Sequence, residues 1–126
     1  EKVKYYSSLD QLGKKDFDIV CFNSSIQYLE KYKEKLDKII ELNPLYILIT
    51  RTNFHVEEEN YFTLEHYPKG SSHPYIFFSY QRFVEFLQSK NFNLVFSNKY
   101  NINKYKHNSI DGKTFYHRDL LFKSIT

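Results

Sequence analysis

Three small polar residues, Asn23, Ser24 and Ser25, stand directly after the apolar run Phe17–Asp18–Ile19–Val20–Cys21–Phe22. A run of this kind is too short for a helix and reads as a strand buried on both faces of a parallel sheet. In open α/β sheets ligands bind outside the carboxyl ends of such strands. The amide and hydroxyls there can hydrogen-bond a ligand, and terminating the strand is the competing role for the same residues. His55, His66 and His73 form a second set, placed in the long segment Arg51–Phe78 among Glu57, Glu58, Glu59 and Glu65. An imidazole at a cleft mouth suits general-base work. No H-E-x-x-H or comparable ligand spacing accompanies these histidines, so the pattern assigns no metal.

Other motifs carry less. Asn23–Ser24–Ser25 fits the N-x-S glycosylation pattern, but it follows a buried strand where that pattern needs a surface loop. No G-x-S-x-G elbow surrounds either serine. His117–Arg118–Asp119 has the letters of the kinase catalytic triplet, yet Ser124 stands where that motif needs Asn and no glycine-rich loop precedes it. These read as ordinary strand residues. Cys21, the single cysteine, lies inside the apolar run and reads as a buried structural thiol.

Composition bounds what must hold these residues. The 126 residues fit a single domain, 1–126, large enough for a real core. A hydrophobic content of 41% and an aromatic content of 19%, all Phe and Tyr, argue against disorder. The net charge of +3 comes without a continuous basic stripe, so nucleic acid is not indicated as a partner. No apolar run approaches transmembrane length and no basic leader precedes a signal-like core. Those signs predict a cytoplasmic protein with no membrane partner.

The elements follow from periodicity and punctuation. Lys2–Tyr6 is a strand candidate, and Leu9 and Leu12 suggest a turn of helix closed by Gly13. After the Phe17–Phe22 strand, Leu29, Tyr32, Leu36, Ile39 and Ile40 recur at helical spacing, and Asn43–Pro44 stops the helix. Leu45–Thr50 is a second buried strand, giving a right-handed parallel crossover unit. The segment Arg51–Phe78 carries a short strand at Phe62–Tyr67. Ser79 then caps a helix through Lys90, with Asn91 as its left-handed stop. Phe92–Phe96 and Thr114–Ile125 close the chain as an antiparallel pair, the excursion between them turning at Asp111–Gly112.

That order of elements resembles the C-terminal half of class I S-adenosylmethionine-dependent methyltransferases. Phe17-Asp18-Ile19-Val20 with Asn23-Ser24-Ser25-Ile26-Gln27-Tyr28-Leu29 is similar to the family's fourth strand and following loop. Ile47-Leu48-Ile49-Thr50-Arg51-Thr52-Asn53-Phe54 is similar to its fifth. The same text resembles a bacterial methyltransferase-like group in which Gln-Tyr-Leu, Arg-Thr-x-Phe and a Pro- and Tyr-rich insertion occur together. The resemblance implies an α/β fold: a partial Rossmann-like methyltransferase sheet with parallel core strands and a C-terminal antiparallel strand pair. It lacks the first two strands and the glycine-rich loop, and Lys2–Tyr6 takes the place of the third strand.

The implied activity is S-adenosylmethionine-dependent methyl transfer to a small-molecule or sugar acceptor, with this chain as the acceptor-side half of the cleft. By position, Ser7 and Ser8 fall near the adenine, and Asn23 and Ser24 flank the methyl. Arg51, Thr52, His66 and Tyr67 face the acceptor, and His55 is the candidate base. The alternative is a non-catalytic α/β interaction module that uses an open sheet edge. Without the family's first strand the Phe17–Phe22 strand has no outer neighbour, which predicts either a homodimer through that edge or closure by Lys2–Tyr6. The two helices are expected on opposite faces of the sheet, because uniformly apolar strands need cover on both.

Overall fold

A computed structural model describes residues 2–13, 16–100, 109–110 and 112–125. The strands are β1 (Ile19–Asn23), β2 (Tyr46–His55), β3 (Tyr61–His66), β4 (Ser72–Ser79), β5 (Phe92–Ser97), β6 (Ser109–Ile110) and β7 (Lys113–Ser124). The helices are α1 (Tyr32–Glu41) and α2 (Tyr80–Ser89), with 3-10 turns at Leu9–Leu12 and Ile26–Tyr28. β1 runs parallel to β2, in register from Ile19 opposite Tyr46 to Asn23 opposite Thr50. On the other side of β2 lies β7, antiparallel, and beyond it β5, antiparallel to β7. β4 joins β2 in parallel only at Phe54–His55 and carries β3 as a hairpin partner. This is the partial Rossmann-like α/β sheet that the sequence implies.

Both helices cover one face. The buried residues Tyr32, Leu36 and Ile39 of α1 and Phe83 and Leu87 of α2 meet Ile47, Ile49, Leu120 and Phe122 in a single core. The helices lie side by side: Tyr32 stacks on Phe83 at 6.4 Å, and Lys90 of α2 pairs with Asp37 of α1 at 2.9 Å. This corrects the expectation of a helix on each face. Each helix belongs to a parallel crossover that advances across the sheet in the same direction, and right-handed crossovers then put both on one side.

The uncovered face changes the reading of β1 as well. Its residues alternate between exposed and half-buried rather than being buried throughout. Cys21 is exposed, not a buried thiol, because it points to the face without helices. At its two ends β1 bonds to β2 through Asp18 and Ser24 (Tyr46 N–H to Asp18 O at 2.9 Å, Ser24 N–H to Thr50 O at 2.9 Å). Strand alternation therefore turns the N–H and C=O groups of Ile19, Cys21 and Asn23 outward. Among the described residues nothing pairs with that edge. Lys2–Tyr6 is exposed and forms no strand, which overturns its assignment as the third strand and as the edge's partner.

Local signals decide the remaining boundaries. Ser79 Oγ accepts from the Arg82 N–H, and Asn91 is left-handed at φ 66°, so α2 has the cap and stop that its residues suggest. Asn43, at φ 55° before the buried Pro44, stops α1 in the same way. β2 runs on to His55, past the Thr50 end the sequence suggests. It does so through a bulge between Ile49 and Thr52 where Arg51 takes φ 53°. Gly112 is left-handed at φ 76°, while Asp111, its partner in the predicted turn, lies outside the described residues.

Candidate functional site

The carboxyl ends of β1 and β2 meet the β3–β4 hairpin, and three small networks fix that corner. The first secures the loop after β1. Asn23 Oδ1 accepts from Thr50 Oγ1 at 3.0 Å, and Ser24 adopts φ 50° while its N–H holds Thr50 O. Gln27, only 1% exposed, donates from Nε2 to Ser24 Oγ at 3.2 Å and accepts at Oε1 from Thr52 Oγ1 at 3.3 Å. The loop is thus bolted to β2 from the side of the helices. Asn23 keeps its Nδ2 donor without a partner among the described residues.

The second network holds the bulge. Asp119 Oδ1 accepts from the Arg51 N–H at 3.0 Å and from Tyr100 Oη at 3.1 Å, and Oδ2 accepts from Asn98 Nδ2 at 3.3 Å. Asp119 N–H donates in turn to Asn98 Oδ1 at 2.8 Å. His117 stacks on Tyr100 at 5.8 Å beside this group. Burial lowers the His117 pKa below the ordinary 6.5, the Arg51 charge adds to that, and Asp119 opposes both. The folded state therefore disfavours the imidazolium, and the stability that follows is full above pH 6.5 and lost as pH falls below it. Thermal melts should show this acid loss, and His117→Phe, which keeps a ring on Tyr100, should lessen it. An unchanged pH dependence in that variant would show that His117 is not its source.

The third network is aromatic. Tyr28 sits edge-on to Tyr75 at 5.2 Å, and Tyr75 Oη accepts from Asn53 Nδ2 at 2.7 Å. Tyr75 packs on Phe77 at 4.8 Å, and Phe77 on Phe115 at 4.5 Å. Burial holds the Tyr28 phenol protonated far above its usual range, and Glu65 and Tyr67 beside it act in the same direction.

The sequence candidates divide accordingly. Asn23, Ser24 and Arg51 lie together at the strand ends, and Tyr67 lies beside Tyr28. His55 is buried, its Nε2 facing the Phe77 carbonyl oxygen at 3.1 Å and its Nδ1 accepting from the Glu57 N–H at 3.1 Å. With both nitrogens held by backbone, its imidazole has no lone pair left for a substrate proton. It straps β2 to β4 rather than offering a base. Thr52 is fully buried toward the helices, and His66 bonds Ser72 Oγ at 2.8 Å on the hairpin face opposite Glu65 and Tyr75.

Ser8 caps the first 3-10 turn and Ser7 bonds Gln11. That turn borders a cavity with Asp16, Glu41, Leu42 and Asn43, at the end of the sheet away from Asn23. The residues that sequence reasoning passed over are Asn53, Glu65, Tyr75 and Asp119. The phase of the hairpin strands could have grouped Glu65 with Tyr75, and nothing local ties Asn53 to them. Among the described residues no group of three or more His, Cys, Asp or Glu could hold a metal ion, and no helix is long and apolar enough to cross a membrane.

No protein-family model matches the sequence, and no curated protein matches it. Among solved structures the chain is similar to the crystal structure of Burkholderia thailandensis 1,6-didemethyltoxoflavin-N1-methyltransferase with bound 1,6-didemethyltoxoflavin and S-adenosylhomocysteine. The TM-score is 0.57 at 15% identity, covering 90% of this chain and 46% of that one. The chain therefore shares the α/β fold of the matched part of that protein, and it spans less than half of its length.

Proposed function

We propose that this chain forms the acceptor-side wall of a cleft for S-adenosylmethionine-dependent methyl transfer to a small molecule. The observation that carries the reading is the fixed corner at the carboxyl ends of β1 and β2, set in a sheet whose likeness is to a methyltransferase holding S-adenosylhomocysteine. When bound, the cofactor supplies an activated methyl group, and the protein's work is then mostly alignment. In this reading Asn23 Nδ2 and Ser24 flank the cofactor side. Arg51 presents its charge at the mouth, and Tyr67 belongs to the hairpin that covers the acceptor. The residues of this chain fit only part of such a cofactor, since no glycine-rich loop is present in the sequence.

Two measurements test this. The isolated chain should bind S-adenosylhomocysteine weakly or not at all in a calorimetric titration, and micromolar affinity would overturn the division of the cleft. In the whole protein, labelled methyl from S-adenosylmethionine should appear in small-molecule products, and Asn23→Ala should lower that yield about tenfold or more. Full yield in that variant would remove Asn23 from the cleft.

A second reading has its own observation. The outer edge of β1, unpaired among the described residues, suits a non-catalytic module that binds a partner by strand addition, or a homodimer. A partner strand protecting the amides of Ile19, Cys21 and Asn23, in a whole protein without methyl transfer, would favour it.

A further inference from the structure

Two oxygen atoms behind the hairpin have no donor among the described residues. Asn53 is 6% exposed, its Nδ2 is used by Tyr75, and its Oδ1 is buried without a hydrogen-bond partner. Glu65 Oε2 is likewise buried without one. A buried acceptor left unpaired is costly, and native proteins rarely keep one without a reason. These two belong to one constellation. Tyr75 touches Asn53 directly, Tyr28 touches Tyr75, and Glu65 lies beside Tyr28. Thr63 opposite Tyr75 and Glu65 opposite His73 put these side chains on the same hairpin face. Tyr67, exposed at the hairpin tip and edge-on to His73 at 5.3 Å, is the ring at the surface end.

The chemistry these groups lack is specific. Both unsatisfied atoms are acceptors, one belongs to a carboxylate, and the rings around them present electron-rich faces. A neutral hydroxyl has one proton to give and no charge to complement Glu65. An amino group has two or three protons, and its cation is attracted both by the carboxylate and by tyrosine rings.

We infer that this face of the hairpin recognises an amine: a nitrogen carrying at least two N–H donors on an apolar or aromatic body, which bonds Asn53 Oδ1 and Glu65 Oε2 after passing Tyr67. The inference rests on the acceptor-wall reading above and names the class of that acceptor.

Benzylamine and benzyl alcohol, near-equal in shape, are the probes. Chemical-shift titration of the 126-residue chain should show benzylamine binding at least tenfold more tightly, with shifts centred on Asn53, Glu65, Tyr28 and Tyr75. Glu65→Gln, which keeps the shape and removes the charge, should abolish the difference while the chain still melts cooperatively. Equal binding of the two probes, no binding of either, or benzylamine shifts located elsewhere would overturn the inference, and none of these depends on the variant folding. The readout uses no cofactor, so the two proposals fail separately. Amine binding in a whole protein that transfers no methyl would sink only the methyl-transfer reading. Methyl transfer to hydroxyl acceptors with equal probe binding would sink only this one.

Discussion

The isolated chain should run in light scattering at a multiple of its monomer mass, under reducing conditions, and Cys21→Pro should return it to monomer. The outward groups of β1 set this expectation. Ile19, Cys21 and Asn23 offer three N–H and C=O pairs in a row with nothing described beside them, and Ile19 is 50% exposed. A flat, apolar edge of this kind is a template for another strand. Proline at position 21 removes a donor that β2 does not use, so β1 keeps its bonds to Tyr46–Thr50, and proline is tolerated on edge strands. Cys21→Ser keeps the donor and should leave the association intact, which separates strand pairing from thiol chemistry. A monomeric parent chain with fast amide exchange at Ile19, Cys21 and Asn23 would exclude pairing through this edge.

Replacing Phe83 with alanine should destabilise the chain by about 3–5 kcal/mol, the range for deleting a buried aromatic ring. Phe83 is 1% exposed and touches Tyr32, Phe54, Phe78 and Phe122, so it joins both helices to β2, β4 and β7 at once. Domains are stable by only about 5–15 kcal/mol, so this loss takes a large share. Denaturant titration should show the midpoint falling sharply. The corner at Ser24 and Gln27 should loosen with it, since Ile26 belongs to the same core. A loss below about 1 kcal/mol would mean that the ring cluster closes over the gap, at the low end of what single substitutions do.

The sequence carried the sheet because continuous apolar runs and helix punctuation are local signals. Asn91, Ser79 and Asn43 each announce an element's end by the backbone geometry they alone tolerate or cap. Cys21 was misread for a non-local reason. An apolar strand implies cover on both faces, and whether the cover exists depends on chain that is not adjacent in sequence. Lys2–Tyr6 failed similarly, since an alternating pentapeptide needs a neighbour to become a strand. His55 looked available because its type suits proton transfer. Its two backbone bonds arise only when β4 and the Glu57 turn fold against it. Asn53, Glu65 and Tyr75 come from three separate strands, and no spacing in the sequence links them.

Arg51 has a bearing on any attempt to align or graft this segment. Ahead of it the odd-numbered residues Ile47 and Ile49 point to the helices, and after it the even-numbered Thr52 and Phe54 do. One left-handed residue thus works as a frame-shift in the inside–outside code of the strand. Pulling Arg51 straight into the ladder would send Asn53 and His55 into the helix layer and turn Phe54 toward the hairpin face, whereas deleting it would restore plain alternation and leave both sides in phase. A segment transplanted into another sheet with the bulge intact must therefore bring Arg51 and its anchor Asp119 together.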